Sequence, residues 1–249
     1  MNKPLIIVIF LIILFLILRF LNIKVKENYY TNSLSNLKIN NNDGFKLEIL
    51  HKNPNIILIK DFLSFDECDH IIKVGDPLVK QSEVCGKMGS RPDKSRTSWT
   101  AHIGKKLITK DYQDKILLNI YKKSARFCNK NVKNIEPVQL VRYKPGQYFK
   151  SHYDYLDTRL PLYKNNVEKN GQRLVTFFVY LNNVEDGVGG ATHFKKINKT
   201  FKASKGQAIF WYNMRDGKVD TQTLHSGTEI KKGTKYGMNI WVRNKEYKG

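Results

Sequence analysis

From residue 135 onward the sequence changes texture, and that change limits the fold more than any other feature. The segments VQLVRY, QYFKSHY, RLVTFFVYL, ATHF, QAIFWY and YGMNIWVR are rich in β-branched and aromatic residues and are separated by Gly, Asn, Lys or Pro breaks. Short strands in such a series close on themselves as a sandwich or barrel. Helical patterns precede them. Ser64-Phe65-Asp66-Glu67 is a capping box opening a short helix through about Lys73. Between residues 110 and 129, Ile116, Leu117, Ile120, Tyr121, Ser124 and Cys128 recur at helical spacing. The expectation is an α+β domain with an all-β core. Residues 80–98 and 155–171 are polar and read as loops, the second as a lid.

The N-terminus sets a second constraint. Residues 5–18 are unbroken apolar, and the run from Leu5 to Ile23, interrupted by Arg19, approaches the roughly twenty residues needed to cross a bilayer. No small-residue cleavage site follows, so residues 1–23 read as an uncleaved transmembrane anchor. Lys3 lies on one side of it and Arg19, Lys24 and Lys26 on the other, and this bias favours a cytosolic body. Residues 24–55, rich in Asn, Lys and Ser, read as a stalk, and 56–249 as the globular domain beginning at the apolar IILI run.

The formal net charge of +21 implies affinity for something anionic. The lysines are scattered and form no arginine-rich stripe, so nucleic acid is not the expected partner. Cys68, Cys85 and Cys128 form no C-x-x-C pair. Cys68 and Cys128 fall in helical patterns and read as buried thiols. Whether any two of the three pair is open.

The chemistry centres on His152-Tyr153-Asp154. In an extended chain residues i and i+2 project from one face, so an imidazole and a carboxylate converge. With His225 they make two imidazoles and one carboxylate, a facial set that leaves positions open on a non-haem Fe(II) centre. Lys235, one short hairpin beyond His225, could pair with the far carboxylate of a 2-oxo acid.

The pieces VRYKPGQYFKSHYD, NGQRLVTFFVYLNNV, GGAT, KGQAIFWYN, TLHSG and KYGMNIWVR fall in order within 138–245. In them the chain resembles the prolyl 4-hydroxylases among the Fe(II)/2-oxoglutarate dioxygenases. Its Asn- and Lys-rich texture is similar to that of members encoded by large DNA viruses. The resemblance implies a double-stranded β-helix, or jelly-roll, core at 138–245 supported by N-terminal helices. It implies Fe(II) on His152, Asp154 and His225, and 2-oxoglutarate on Lys235 with help from Tyr143 and Tyr180. It further implies substrate contacts at Arg96, Arg173 and Trp241. The implied reaction is that of the procollagen-proline 4-dioxygenase type. O2 and 2-oxoglutarate are consumed, succinate and CO2 are released, peptidyl proline, collagen-like or other, is hydroxylated at C4, and ascorbate serves as reductant. A lysine at position 235 suits prolyl rather than lysyl hydroxylases. Phe194 is followed by Lys195 where the family often has proline, and His193 in that segment is not a family ligand position.

Membrane-anchored members imply a single-pass protein of the endoplasmic reticulum with a luminal catalytic domain, opposite to the charge bias. Asn198-Lys199-Thr200 would then be an exposed glycosylation sequon. Two other readings stand beside this one. One is a 2-oxoglutarate dioxygenase acting on nucleic acid or another non-proline substrate, and the other a non-catalytic membrane-anchored peptide-binding module.

Overall fold

A computed structural model describes residues 39–86, 89–104 and 114–249, with positions 12, 13, 15–17 and 19. The chain divides into two units, Met1–Asn40 and Asn41–Gly249. In the first unit positions 12, 13, 15–17 and 19 are helical and exposed, while Ile39 and Asn40 are irregular and half-buried. Among the described residues no helix is long and apolar enough to cross a membrane. The rest of the expected anchor, and residues 24–38 of the expected stalk, lie outside the described residues.

The second unit opens with strands β1 (Lys46–Lys52) and β2 (Asn55–Lys60). Helix α1 (Phe65–Gly75) follows, with the capping box closed in both directions. Glu67 N–H donates to Ser64 Oγ at 3.1 Å, and Ser64 N–H to Glu67 Oε2 at 2.9 Å. Short strands β3 (Lys80–Gln81), β4 (Glu83–Gly86) and β5 (Gly89–Pro92) lead to β6 (Trp99–Ile103) and helix α2 (Lys115–Phe127). Next come β7 (Val138–Tyr143), β8 (Phe149–His152), helix α3 (Pro161–Asn170) and β9 (Arg173–Tyr180). The remaining strands are β10 (Thr192–Phe194), β11 (Lys199–Phe201), β12 (Ala208–Tyr212), β13 (Met214–Arg215), β14 (Lys218–Val219), β15 (His225–Gly227) and β16 (Lys235–Arg243).

Two antiparallel sheets carry the architecture. The larger has the order β1-β2-β12-β9-β16-β7-β6-β3, and the smaller β11-β10-β15-β8. Residues of both, among them Tyr143, Phe178, Tyr180, Phe194, Ile209 and Trp211, make one buried cluster between them. This mostly antiparallel arrangement with few helices is consistent with a jelly-roll. The other face of the large sheet is covered by helices. Phe127 of α2 packs edge-on against Phe177 and Phe210, with ring centroids 5.6 and 5.3 Å apart. Helix α1 ends against the sheet at Gly75, where a Cβ would stand 2.6 Å from Leu140 Cδ2. Because side chains alternate along a strand, β16 sends Met238 and Ile240 toward the helices and Lys235, Asn239 and Trp241 toward the space between the sheets.

Three expectations need correction. Residues 46–52, assigned to the stalk, are strand β1; a register shift between Ile49 and His51 breaks the alternation that would have revealed it. Residues 80–98 hold three short strands whose side chains are largely polar and exposed, so they lack an apolar period. Within 155–171 the chain forms α3, with Pro161 in its first turn and no apolar stripe. That helix is tied to the C-terminal segment by Arg243 Nη2 to Asn166 Oδ1 and by Lys248 N–H to Asn170 Oδ1. None of the three cysteines is in a disulfide, and Cys68 and Cys128 are buried.

Candidate metal and cosubstrate site

The small sheet assembles the ligand set. β15 and β8 are antiparallel neighbours, and their register sets His225 opposite His152. Asp154 lies two residues beyond the end of β8. Its Oδ1 is 3.7 Å from His152 Nε2 and its Oδ2 3.8 Å from His225 Nε2. One donor atom from each of the three falls within 4.8 Å of the others.

The surroundings set tautomer and charge. His152 Nδ1 is 2.8 Å from Lys150 O, and His225 Nδ1 is 2.9 Å from Thr223 O. A carbonyl only accepts, so each Nδ1 carries a proton, and in the neutral ring that leaves Nε2 as the nitrogen able to offer a lone pair to the site. Burial, with His225 close by, pulls the His152 pKa down to about 3, so that imidazole stays neutral. Burial pushes the Asp154 carboxyl up, but His225, His152, Arg173 and a bond from Thr176 outweigh it and hold the group ionised. A neutral His152 and an ionised Asp154 are in the states a metal ligand needs. Packing fixes the rings. Phe149 stacks on His152 at 3.5 Å between centroids, and His225 meets Trp211 at 4.8 Å.

Lys235 sits deeper, opposite Tyr143 in the β16–β7 register. It is 2% exposed. Its ammonium lies 4.7 Å from the ring centre of Phe178, 4.8 Å from Tyr180 and 5.4 Å from Tyr143. Among the described residues no carboxylate pairs with it. Burial, reinforced by Lys202, lowers its pKa to about 7. The Tyr143 hydroxyl reaches toward β15, where a Cβ at Gly227 would be 3.4 Å from it. The Tyr180 hydroxyl is engaged by Thr192 Oγ1 at 3.0 Å and Phe201 O at 3.4 Å. Tyr180 therefore offers Lys235 its ring rather than a free hydroxyl.

Comparison with known proteins agrees with this geometry. A family model described as the 2OG-Fe(II) oxygenase superfamily matches residues 138–243. Prolyl 4-hydroxylase 1 of Arabidopsis thaliana is 30% identical over 214 residues, spanning 80% of this chain and 72% of the plant protein. Prolyl 4-hydroxylase subunit alpha-3 of Homo sapiens is 31% identical over 218 residues, 86% of this chain but 38% of the human subunit. The solved 2OG complex of the viral collagen prolyl hydroxylase of Paramecium Bursaria Chlorella virus-1 is 32% identical. It superposes with a TM-score of 0.57 over 76% of this chain and 95% of that one. The chain belongs to the prolyl 4-hydroxylase family of 2OG-Fe(II) oxygenases.

In this family member a cleft of about 500 Å³ opens beside the ligand set, with His152 and Asp154 in its wall. The sequence-predicted substrate residues Arg96, Arg173 and Trp241 all line it. Arg96 is buried, donates from Nη2 to Gln139 Oε1 at 2.8 Å, and lies 4.6 Å over the Phe149 ring. Arg173 is more constrained than its sequence role suggested. It makes a two-pronged pair with Glu136 at 2.6 and 2.9 Å and lies 3.5 Å over the Trp241 ring. Arg243 joins the same carboxylate at 2.6 Å. The Trp241 indole N–H is buried without a hydrogen-bond partner. Glu136, Thr176 and Asn213 were not found from the sequence. The one signal was Thr176, a polar interruption in the apolar run RLVTFFVY. His193 bonds Thr200 at 2.9 Å and stays outside the ligand set, as do His51, His70 and His102.

Proposed function

We propose that the chain hydroxylates peptidyl proline at C4, coupled to oxidative decarboxylation of 2-oxoglutarate to succinate and CO2. The observation that carries this reading is the pairing of the His152–Asp154–His225 set with a buried Lys235 that has no carboxylate partner among the described residues. The donor set fits Fe(II), which when bound supplies the O2-activating chemistry. The lone ammonium in an aromatic cage fits the far carboxylate of 2-oxoglutarate, because an anion there relieves an uncompensated buried charge. Lys235 would hold that carboxylate, with Tyr143 presenting its hydroxyl and the rings of Phe178 and Tyr180 excluding water. Peptide would lie in the cleft against Trp241 and Arg173, whose position is set by Glu136, with Arg96 shaping the opposite wall. The unpartnered Trp241 N–H suits a peptide carbonyl. Ascorbate would serve as reductant after uncoupled turnover.

The family relationship supports proline over nucleic acid as the target, collagen-like sequences included. The test is incubation of the full chain with Fe(II), 2-oxoglutarate and proline-rich or collagen-like peptides. Succinate should form in proportion to peptide, and one oxygen should appear on proline. Turnover indifferent to proline would refute the substrate, and no succinate at all would refute the enzyme.

We further propose that Leu5–Ile23 anchors the chain as a single-pass span with the catalytic unit in the lumen of the endoplasmic reticulum. The apolar run Leu5–Ile23 supports the anchor, and the Asn198-Lys199-Thr200 sequon fits a luminal side. Protection of the 41–249 unit from protease in sealed microsomes, with glycan on Asn198, is the expected result; digestion would place it in the cytosol.

A further inference from the structure

Asp154 stands at the end of a buried chain of hydrogen bonds whose direction chemistry dictates. Trp211 Nε1 is 3.0 Å from Asn213 Oδ1, Asn213 Nδ2 is 2.9 Å from Thr176 Oγ1, and Thr176 Oγ1 is 2.8 Å from Asp154 Oδ2. An indole N–H can only donate, so it turns the amide oxygen of Asn213 toward itself. The amide nitrogen, also a pure donor, then faces Thr176. The single hydroxyl proton of threonine is left for the carboxylate. Thr176 and Asn213 are fully buried and Trp211 is 1% exposed, so water has no access to substitute for a missing partner.

The fold places these groups together for a reason visible in the strands. Thr176 is the cross-strand partner of Trp211 between β9 and β12. Asn213 lies just past the end of β12, where its N–H donates to Leu174 O at 2.9 Å. The Trp211 ring also packs against His225. One indole therefore buttresses one ligand through a ring contact and a second through its N–H.

We propose that Trp211, Asn213 and Thr176 are positioning residues that fix the Asp154 carboxylate, holding Oδ2 so that Oδ1 is presented to the metal. This rests on the reading of His152, Asp154 and His225 as the Fe(II) site. Partners that orient a ligating carboxylate typically change metal affinity by about 10- to 100-fold when removed. A chain that merely satisfied buried polar atoms would alter stability and leave metal affinity alone.

Mn(II) binding to the full-length chain, followed by electron paramagnetic resonance of the free ion, separates the two. Thr176→Val keeps the shape and removes the hydroxyl, and is expected to weaken Mn(II) binding about 10- to 100-fold. Thr176→Ser, which retains the hydroxyl, should bind within about threefold of wild type, even if its melting temperature falls. Equal affinity in Thr176→Val and wild type would overturn the proposal, as would equal losses in the Val and Ser variants. If Thr176→Val does not fold, Trp211→Phe carries the test. It keeps a ring beside His225 but frees the Asn213 amide, so unchanged affinity again overturns the proposal. His225→Ala separates this failure from that of the site itself. If it binds Mn(II) like wild type, the ligand assignment falls and the relay with it. If it loses the metal while Thr176→Val does not, the relay alone is wrong.

Discussion

Replacing Lys235 with methionine should do two opposite things, and the structure says how large each is. The ammonium is 2% exposed and has aromatic rings, not a carboxylate, around it. In the protein without cosubstrate it is a desolvated charge with no counter-ion among the described residues, and burial brings its pKa from 10.5 down to about 7. Below pH 7 folded and unfolded chains both carry the proton, and the folded chain bears the full cost of burying it. Between pH 7 and 10.5 the unfolded chain binds more protons than the folded one. Stability should therefore rise with pH across that window, by roughly 1.4 kcal/mol per pH unit from this group. Lys235→Met removes that slope, and at pH 6 it should be more stable than wild type.

For 2-oxoglutarate the sign reverses. Removing one partner of a buried ion pair costs about 3–5 kcal/mol, so affinity should fall by about two to four orders of magnitude. In wild type the binding form is the protonated lysine, so affinity should weaken as pH rises above 7, by up to about tenfold per unit. The assays are chemical denaturation from pH 6 to 10 without cosubstrate, and calorimetric titration with 2-oxoglutarate over the same range. Two results would refute the reasoning. One is a Lys235→Met variant that binds 2-oxoglutarate within about tenfold of wild type. The other is a stability slope identical in the two proteins.

Other perturbations follow from single contacts. His152→Ala should abolish metal binding while leaving the circular dichroism spectrum intact, because the ring lines the cleft at the end of β8 and is not part of the hydrophobic core cluster; unchanged metal affinity would remove it from the ligand set. Glu136→Gln leaves the guanidinium groups of Arg173 and Arg243 without their carboxylate, at about 3–5 kcal/mol in denaturant titrations. Burial opposes the ionised form of Glu136, but Arg173 and Arg243 hold its pKa below 4.5, so its stabilising effect is complete above that pH and erodes as acid approaches the folded-state value. A Gln variant with an unaltered acid limb would contradict this. Gly237→Ala would put a Cβ 2.6 Å from the Phe178 ring, displacing a wall of the Lys235 cage. The expected effect is about 1–3 kcal/mol of stability with a raised KM for 2-oxoglutarate, and kinetics identical to wild type would show that the cage tolerates movement.

What could be read from the residues depended on how local each signal was. His152 and Asp154 declare themselves because two residues of one strand suffice to aim them together. β7, β8, β9, β10, β12 and β16 are legible from their own β-branched and aromatic residues, whereas β11, β13, β14 and β15 are two or three residues long and carry no such signal. β1 is hidden by a one-residue irregularity, and α3 by a polar surface whose anchors, Arg243 and Lys248, lie over seventy positions downstream. The residues that hold the site in place are hidden more deeply. Glu136 meets Arg173 37 positions away and Arg243 107 away, and Thr176 meets Asn213 at 37. Nothing about a lone glutamate before a proline, or a threonine in a strand where threonine is common, tells of these partners.

That difference follows from the architecture. A sandwich whose neighbours in space are distant in sequence lets ligands sit on one hairpin-scale register while their supports come from the opposite sheet. His152 and His225 are fixed by pairing within the small sheet, whereas Thr176 and the Lys235 cage belong to the large one. Asp154 bridges the two, since it follows β8 in the chain and takes its hydrogen bond from β9. The geometry of the ligand set therefore depends on the spacing between the sheets, and that spacing is filled by Trp211, Phe194, Phe178 and Tyr180. A core substitution there that thins the layer, such as Phe194→Leu, acts on the metal through Asp154 and His225 before it acts on the fold. The same substitution on the helix-facing side, at Phe210, lacks that route and should alter stability alone.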